Sequence, residues 1–328
     1  MKKLISIMLA LVFVFSMATV AFAAEGDGTT TYTDASTVTI TKVYKLANSG
    51  TTSPAETFTV TQQGDGRVTD GDATSAPALG TITGATYSAG GATIEGATAT
   101  ITINLPQYDK VGVYEYTLKE TAGNTAGVTY WTNDIKLVVT VIQQEGRVRV
   151  AAVHTETEGD KTGSIVNTYS AGSLAITKNV TGNLGDTSKY FKVTVTLTGE
   201  TGKNYADSYS VTGGSYTSNP TSIKIGEATD FYLKDDDTIT IANLPYGVTY
   251  TVVEADYQTT DKYDAPSYTF SDDGKKIDSP SDTVTITNNK TTNVDTGISL
   301  DSVPFILILA VCAGAAILFV TKRRSVEF

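Results

Sequence analysis

Residues Val113 to Glu120 read VYEYTLKE, and residues Val248 to Glu254 read VTYTVVE. Side chains two apart in a strand share a face. Tyr114, Tyr116, Leu118 and Glu120 therefore line one side of the first stretch. Val248, Tyr250, Val252 and Glu254 line one side of the second. Apolar residues that alternate with polar ones mark a half-buried strand. The same alternation runs through Thr37 to Tyr44, Thr98 to Leu105, Lys136 to Ile142, Ser173 to Lys178, Phe191 to Leu197, Thr238 to Leu244 and Thr283 to Asn288. Clusters such as Gly64-Asp65-Gly66 and Asp235-Asp236-Asp237 separate the runs. No long stretch carries a helical apolar period. Abundant Thr and 18 tyrosines suit half-buried strands. Many short strands with turn signals predict an all-β protein of sandwiches or Greek-key barrels.

The order of features occurs twice. ITK (Ile40 to Lys42), ITINLP (Ile101 to Pro106), the stretch ending at Glu120 and SIVNTY (Ser164 to Tyr169) make the first set. ITK (Ile176 to Lys178), ITIANLP (Ile239 to Pro245), the stretch ending at Glu254 and TITNNK (Thr285 to Lys290) make the second. The spacing predicts two tandem domains, 24–170 and 171–292, of ordinary size. The link falls at Ser170, Ala171 and Gly172, and its shortness predicts a rigid rod.

Each set ends an apolar stripe on the same three polar residues. Ile40 and Lys42 are in phase, as are Leu174, Ile176 and Lys178. Ile165 is in phase with Asn167, and Val284 and Ile286 with Asn288. Two readings of Lys, Glu and Asn on an inward face stand side by side. One is a buried hydrogen-bonded ion pair, whose net stabilisation is small. The other is a covalent link. Burial lowers a lysine's pKa and frees its amine as a nucleophile. Packing holds that amine against the Asn amide carbon, and a buried Glu moves the proton. Ammonia leaves and a Lys–Asn isopeptide bond remains. This is self-modification once per domain, not enzymatic turnover.

Composition excludes other classes. The 328 residues carry a net charge of −11, contrary to the basic surface that nucleic acid requires. One cysteine and one histidine exclude a disulfide framework and a Cys/His metal cluster. No motif calls for a cofactor or metal. His154 lies in a charged segment, and Asp235 to Asp237 match no calcium loop. At the N-terminus, MKK, the apolar run Leu4 to Met17 and the AFA site ending at Ala23 read as a signal peptide, residues 1–23. At the C-terminus, the apolar run Val303 to Val320 precedes Lys322, Arg323 and Arg324. That pattern predicts a membrane span with a cytoplasmic tail, and everything between the two ends outside the cell.

The segment GVYEYTLKE (Gly112 to Glu120), followed by VTYW (Val128 to Trp131) and IVNTY (Ile165 to Tyr169), resembles the major, or backbone, pilins of Gram-positive bacteria. The similarity is greatest to the two-domain streptococcal type with isopeptide linkage domains, and it covers nearly the whole chain. It implies two Ig-like, CnaB-like Greek-key β-sandwiches in an elongated rod. It also implies crosslinks Lys42–Asn167, promoted by Glu120, and Lys178–Asn288, promoted by Glu254. Asn289 and Lys45 are the out-of-phase alternatives to Asn288 and Lys42.

The same resemblance makes residues 293–328 a sorting signal. Asn293, Val294, Asp295, Thr296 and Gly297 stand where LPxTG is usual, with Leu and Pro absent. The implied cut lies between Thr296 and Gly297, made by a pilus-specific class C sortase. The implied acceptor amine is Lys161, in the turn EGDKTG six residues before Asn167. Lys136 and Lys110 are less well placed. The implied partners are further copies joined head to tail, tip and basal pilins, and cell-wall peptidoglycan. The resulting expectation is a shaft subunit of a covalent surface pilus. The alternative is a wall-anchored adhesin acting as a single copy.

Overall fold

The computed structural model describes residues 34–157, 159–161, 163–271, 274–292, 308–313 and 315–317. The expected signal peptide, and Thr296 and Gly297, lie outside the described residues. The expected membrane span is described only at 308–313 and 315–317, both helical. Among the described residues, no helix is long and apolar enough to cross a membrane.

The first strand, Thr37–Leu46, sits mid-sheet. It pairs antiparallel with Ala97–Asn104 and parallel with Ser164–Tyr169. Ile82–Thr83 and Val128–Thr129 extend the sheet at its two edges. The facing sheet is built on Gly112–Glu120. On one side Ile135–Gln144, Arg147–Thr157 and Asp160–Lys161 follow in order, and Val60–Gln62 and Arg67–Gly71 pair on the other. One core joins both sheets, with Ile40, Tyr44, Ile101 and Ile165 from the first and Tyr114, Tyr116, Leu118 and Val139 from the second. Alternation explains this directly: Thr37–Leu46 buries Val38, Ile40, Lys42 and Tyr44 while Thr37, Thr39 and Thr41 face outward or are only partly covered.

The second set of strands repeats the plan. Ala171–Thr181 pairs antiparallel with Thr238–Pro245 and parallel with Ser281–Asn289. Tyr209–Gly213, Ser222–Ile223 and Ser267–Phe270 complete that sheet. Phe191–Thr198 faces it, flanked by Ala228–Leu233 and Thr249–Glu254. Leu174, Ile176, Val284 and Ile286 meet Val193, Val195, Phe231 and Val252 in the second core. A four-residue turn of helix, Gln258–Asp261, interrupts the strands.

In each set the first and last strands are parallel neighbours. A chain pulled at its two ends therefore loads them in shear, with their interstrand bonds acting together.

Ser170 alone separates the last strand of the first set from the first strand of the second. The junction is held on several sides. The Ser170 N–H donates to Gly127 O at 2.8 Å, and Ser170 O accepts from the Tyr246 N–H at 3.0 Å. Asn204 exchanges backbone hydrogen bonds with Asn124 and Ala126 at 2.8 and 2.9 Å. The Asn243 side chain bonds both backbone groups of Thr52 at 2.9 Å. Gly127 has φ +76°, and a Cβ there would stand 2.5 Å from Ser170 O, so this turn requires glycine.

Candidate functional site

Two buried polar triads sit at matching places in the two cores. Lys42 lies opposite Ile165 in the parallel pair, and Tyr44 opposite Asn167. Lys178 lies opposite Ile286, and Val180 opposite Asn288. In both pairs the asparagine thus stands two residues beyond the lysine's cross-strand neighbour. This offset keeps both side chains on the inward face. The acid comes from the facing sheet, Glu120 from the end of Gly112–Glu120 and Glu254 from the end of Thr249–Glu254. Lys42, Asn167, Lys178 and Asn288 are all 0 % exposed, and Glu120 and Glu254 are buried.

In the first triad Lys42 Nζ donates to Glu120 Oε2 and, at 2.7 Å, to Asn167 Oδ1. Asn167 Nδ2 donates to Glu120 Oε1. The three side chains form a closed ring of hydrogen bonds. Asn167 Oδ1 also accepts from the backbone N–H of Trp131 at 2.9 Å. In the second triad Lys178 Nζ donates to Asn288 Oδ1 at 2.9 Å and to the backbone oxygens of Asn179 and Ile286. Asn288 Nδ2 donates to Glu254 Oε2 at 2.7 Å. Glu254 Oε1 lies 3.6 Å from the lysine and has no hydrogen-bond partner.

Burial pulls both lysines down to about 8, against the attraction of Glu120 and Glu254, which raises them. Glu254 is pushed up, first by burial, with Lys178 and Asn288 opposing. An aromatic ring lies over each amine: Phe58 is 4.8 Å from Lys42 Nζ and Phe191 is 4.4 Å from Lys178 Nζ. The arrangement can hold an amine against an amide, with a carboxyl placed to shuttle a proton between the amine and the leaving nitrogen.

The out-of-phase alternatives lie elsewhere. Asn289 is half-buried and donates to Asp264 Oδ2 at 2.6 Å. Lys45 is half-buried and belongs to neither triad. Lys161 is exposed, in the short strand Asp160–Lys161 that pairs with Glu156 and Thr157. Lys136 is held by Glu156 at 2.7 Å, and Lys110 is exposed. The Asp235 to Asp237 run is a turn tied into the fold. Asp235 Oδ1 accepts from the Val180 N–H, and Asp237 Oδ2 from Ser215 and the Lys234 N–H. Among the described residues, no group of three or more His, Cys, Asp or Glu side chains could hold a metal ion.

The Trp131 amide and the two aromatic rings were not singled out by the sequence reading. A backbone donor leaves no mark in residue type. Phe58 and Phe191 begin or end strands and read as ordinary core.

The fold and site define a class: tandem β-sandwiches, each with a Lys–Glu–Asn triad joining its first and last strands to the facing sheet. Residues 22–170 match the family model of the Spy0128-like isopeptide containing domain, and residues 172–293 match a domain of unknown function (DUF7601). The chain is 31% identical to a pilin of Streptococcus pyogenes serotype M1 over 93% of its own length and 96% of that protein. It superposes on the crystal structure of the major pilin from Streptococcus pyogenes with a TM-score of 0.56 and 25% identity, covering 79% of this chain and 100% of that one. A second Streptococcus pyogenes major pilin, T3.2, shares the fold at a TM-score of 0.52 and 21% identity. The chain belongs to the pilin family. It is a structural subunit of a cell-surface pilus shaft.

Proposed function

We propose that this pilin is a shaft subunit closed by two self-formed isopeptide bonds, Lys42–Asn167 and Lys178–Asn288, and joined to its neighbours by sortase. The observation that carries the reading is the pair of buried triads, each with a lysine amine within 2.9 Å of an asparagine amide oxygen.

The chemistry balances within each triad. The neutral amine attacks the Asn Cγ and a C–N bond forms. The carboxyl accepts the amine's proton and delivers one to the leaving amide nitrogen, which departs as ammonia. The bond then bridges the two parallel strands loaded in shear, so tension passes through a covalent link. The link also restricts the unfolded chain, as a disulfide would, with no cysteine in the exposed region.

Assembly is a separate step. Sortase cuts between Thr296 and Gly297 and transfers the Thr carboxyl to Lys161 of another copy, building a head-to-tail fibre anchored in peptidoglycan. The exposure of Lys161 at a strand end supports its choice as acceptor. The test is the covalent ladder in cell-wall extracts. Wild type gives a ladder of multimers, and Lys161→Ala collapses it to the monomer with unchanged folding. A ladder that survives Lys161→Ala moves the acceptor elsewhere. A single band from wild type favours the single-copy adhesin.

A further inference from the structure

We infer that the backbone N–H of Trp131 is the oxyanion donor for closure of the Lys42–Asn167 bond, and that the second domain closes its bond without such a donor. This rests on the isopeptide reading above and adds a catalytic group to it.

When an amine adds to an amide, charge develops on the amide oxygen. A preorganised donor aimed at that oxygen stabilises the transition state. Asn167 Oδ1 has two donors, Lys42 Nζ at 2.7 Å and Trp131 N at 2.9 Å. The first cannot serve during attack, because Nζ itself becomes bonded to Cγ. Trp131 N–H is then the donor left on the oxygen. Its 2.9 Å separation lies in the range such donors occupy.

The fold explains why this N–H is free to act. The edge strand Val128–Thr129 pairs with Tyr169 and Thr168, and the ladder stops there. The chain leaves the sheet at Tyr130, so the Trp131 N–H meets the Asn167 side chain instead of a strand carbonyl. The position is anchored. Tyr130 and Trp131 pack against the first core, and the Tyr130 ring meets Phe58, the ring over Lys42, at 5.9 Å.

The second domain differs at this place. Among the described residues, Asn288 Oδ1 accepts from Lys178 Nζ and from no backbone N–H. The edge strand Ser267–Phe270 pairs with Ser281–Asn289 up to Ser267 opposite Thr287. By register Ser267, opposite Thr287, holds the place of Trp131, but it is part of the ladder, whereas Trp131 lies beyond the end of its own; Pro266, beside Asn288, has no N–H to offer.

The step remains the balanced one: Nζ–Cγ forms, Cγ–Nδ2 breaks, and ammonia leaves with the proton relayed by Glu120. Trp131 transfers nothing and holds the developing oxyanion.

The experiment replaces one atom group. The full chain is synthesised in a cell-free system with the α-hydroxy analogue of tryptophan at position 131, which turns the N–H into an ester oxygen and keeps the indole. Samples are quenched over time, digested, and each crosslinked peptide is quantified. The Lys42–Asn167 link is expected to form about 100-fold more slowly than in wild type. The Lys178–Asn288 link in the same molecules keeps its wild-type rate. An unchanged first rate in the ester chain, or an equal slowing of both links, overturns the assignment. Wild type run alongside separates this from failure of the isopeptide reading, since a wild-type chain with no Lys42–Asn167 link removes that reading and this role with it. Should the ester chain not fold, amide exchange in Glu120→Ala decides. Protection of the Trp131 amide that is lost on adding Asn167→Ala supports the role, and an unprotected amide overturns it.

Discussion

The two triads share their register, their burial and their residue types, yet they satisfy the same oxygen and the same carboxyl differently. In the first domain the hydrogen-bond ring is closed, with both Glu120 oxygens engaged and a backbone N–H on the amide oxygen. In the second, two backbone carbonyls take part of the lysine's donors. Glu254 keeps one oxygen without a hydrogen bond, and its pKa is raised. The first site is organised around a fixed dipole, the second around a carboxyl whose pKa burial raises. The difference teaches that one arrangement of Lys, Glu and Asn, set by strand register, accommodates two electrostatic environments.

The largest effects should come from the acids. Glu120→Ala and Glu254→Ala each leave a lysine buried without its charge partner, a situation that costs about 3–5 kcal/mol. Each also stops its own crosslink. Intact mass should show one missing loss of ammonia, about 17 Da, in either variant, and the melting transition of only the altered domain should fall. If either variant still forms both links, the acids have no part in the chemistry.

Removing the amide isolates the crosslink from the charge. Lys42 and Asn167 are 125 positions apart and Lys178 and Asn288 are 110. Chain entropy assigns a link across a loop of that size about 5 kcal/mol. Asn167→Ala and Asn288→Ala should therefore lose nearly equal stability in denaturant unfolding. A much smaller loss in one domain would show that its link is not formed in the wild type.

Dependence on pH sharpens the comparison. In both Asn→Ala chains the lysine remains, with its folded pKa near 8 against 10.5 when unfolded. Between these values the unfolded chain holds the proton and the folded chain does not, so stability rises with pH from about 8 to 10.5. Glu254 adds the opposite trend in the second domain. Its folded pKa is raised, so stability present below about 4.5 is lost as pH rises through the folded value. Asn288→Ala should show a shallow minimum on the acid side of about pH 8 in a pH series of urea midpoints. The crosslinked wild type has no amine to titrate and should lack the alkaline rise. An alkaline rise of equal size in wild type would mean that the amines are still free.

The smallest effects should fall on residues out of phase with the core. Asn289→Ala should leave both mass losses intact and change stability by less than about 1 kcal/mol, because Asn289 bonds only at the surface, chiefly to Asp264. A lost crosslink in Asn289→Ala would reassign the second bond.

Much of this was legible in the sequence for a simple reason. A strand's period of two links residue number to face, so Lys42, Glu120 and Asn167 could be placed inward from the residues in phase with them. The strand runs read from alternation fall within a few residues of the observed bounds, as with Thr98 to Leu105 against Ala97–Asn104. Arg147–Thr157 escaped because a bulge changes its phase: Val150 is buried among the even-numbered positions and Thr155 and Thr157 among the odd, so the alternation begun at Val148 and Val150 does not run on. The junction contacts of Asn204 and Asn243 were equally silent, since they join backbone groups far apart in sequence. So was the Trp131 N–H, although Trp131 itself lies in the VTYW segment.

The account's central claim is that each domain carries one covalent Lys–Asn bond, and the intact mass of a recombinant chain spanning residues 24–292 tests it most directly. The predicted result is a folded protein lighter than its sequence by about 34 Da, with half of that deficit restored in Lys42→Ala and half in Lys178→Ala. A folded protein of full unmodified mass would contradict it.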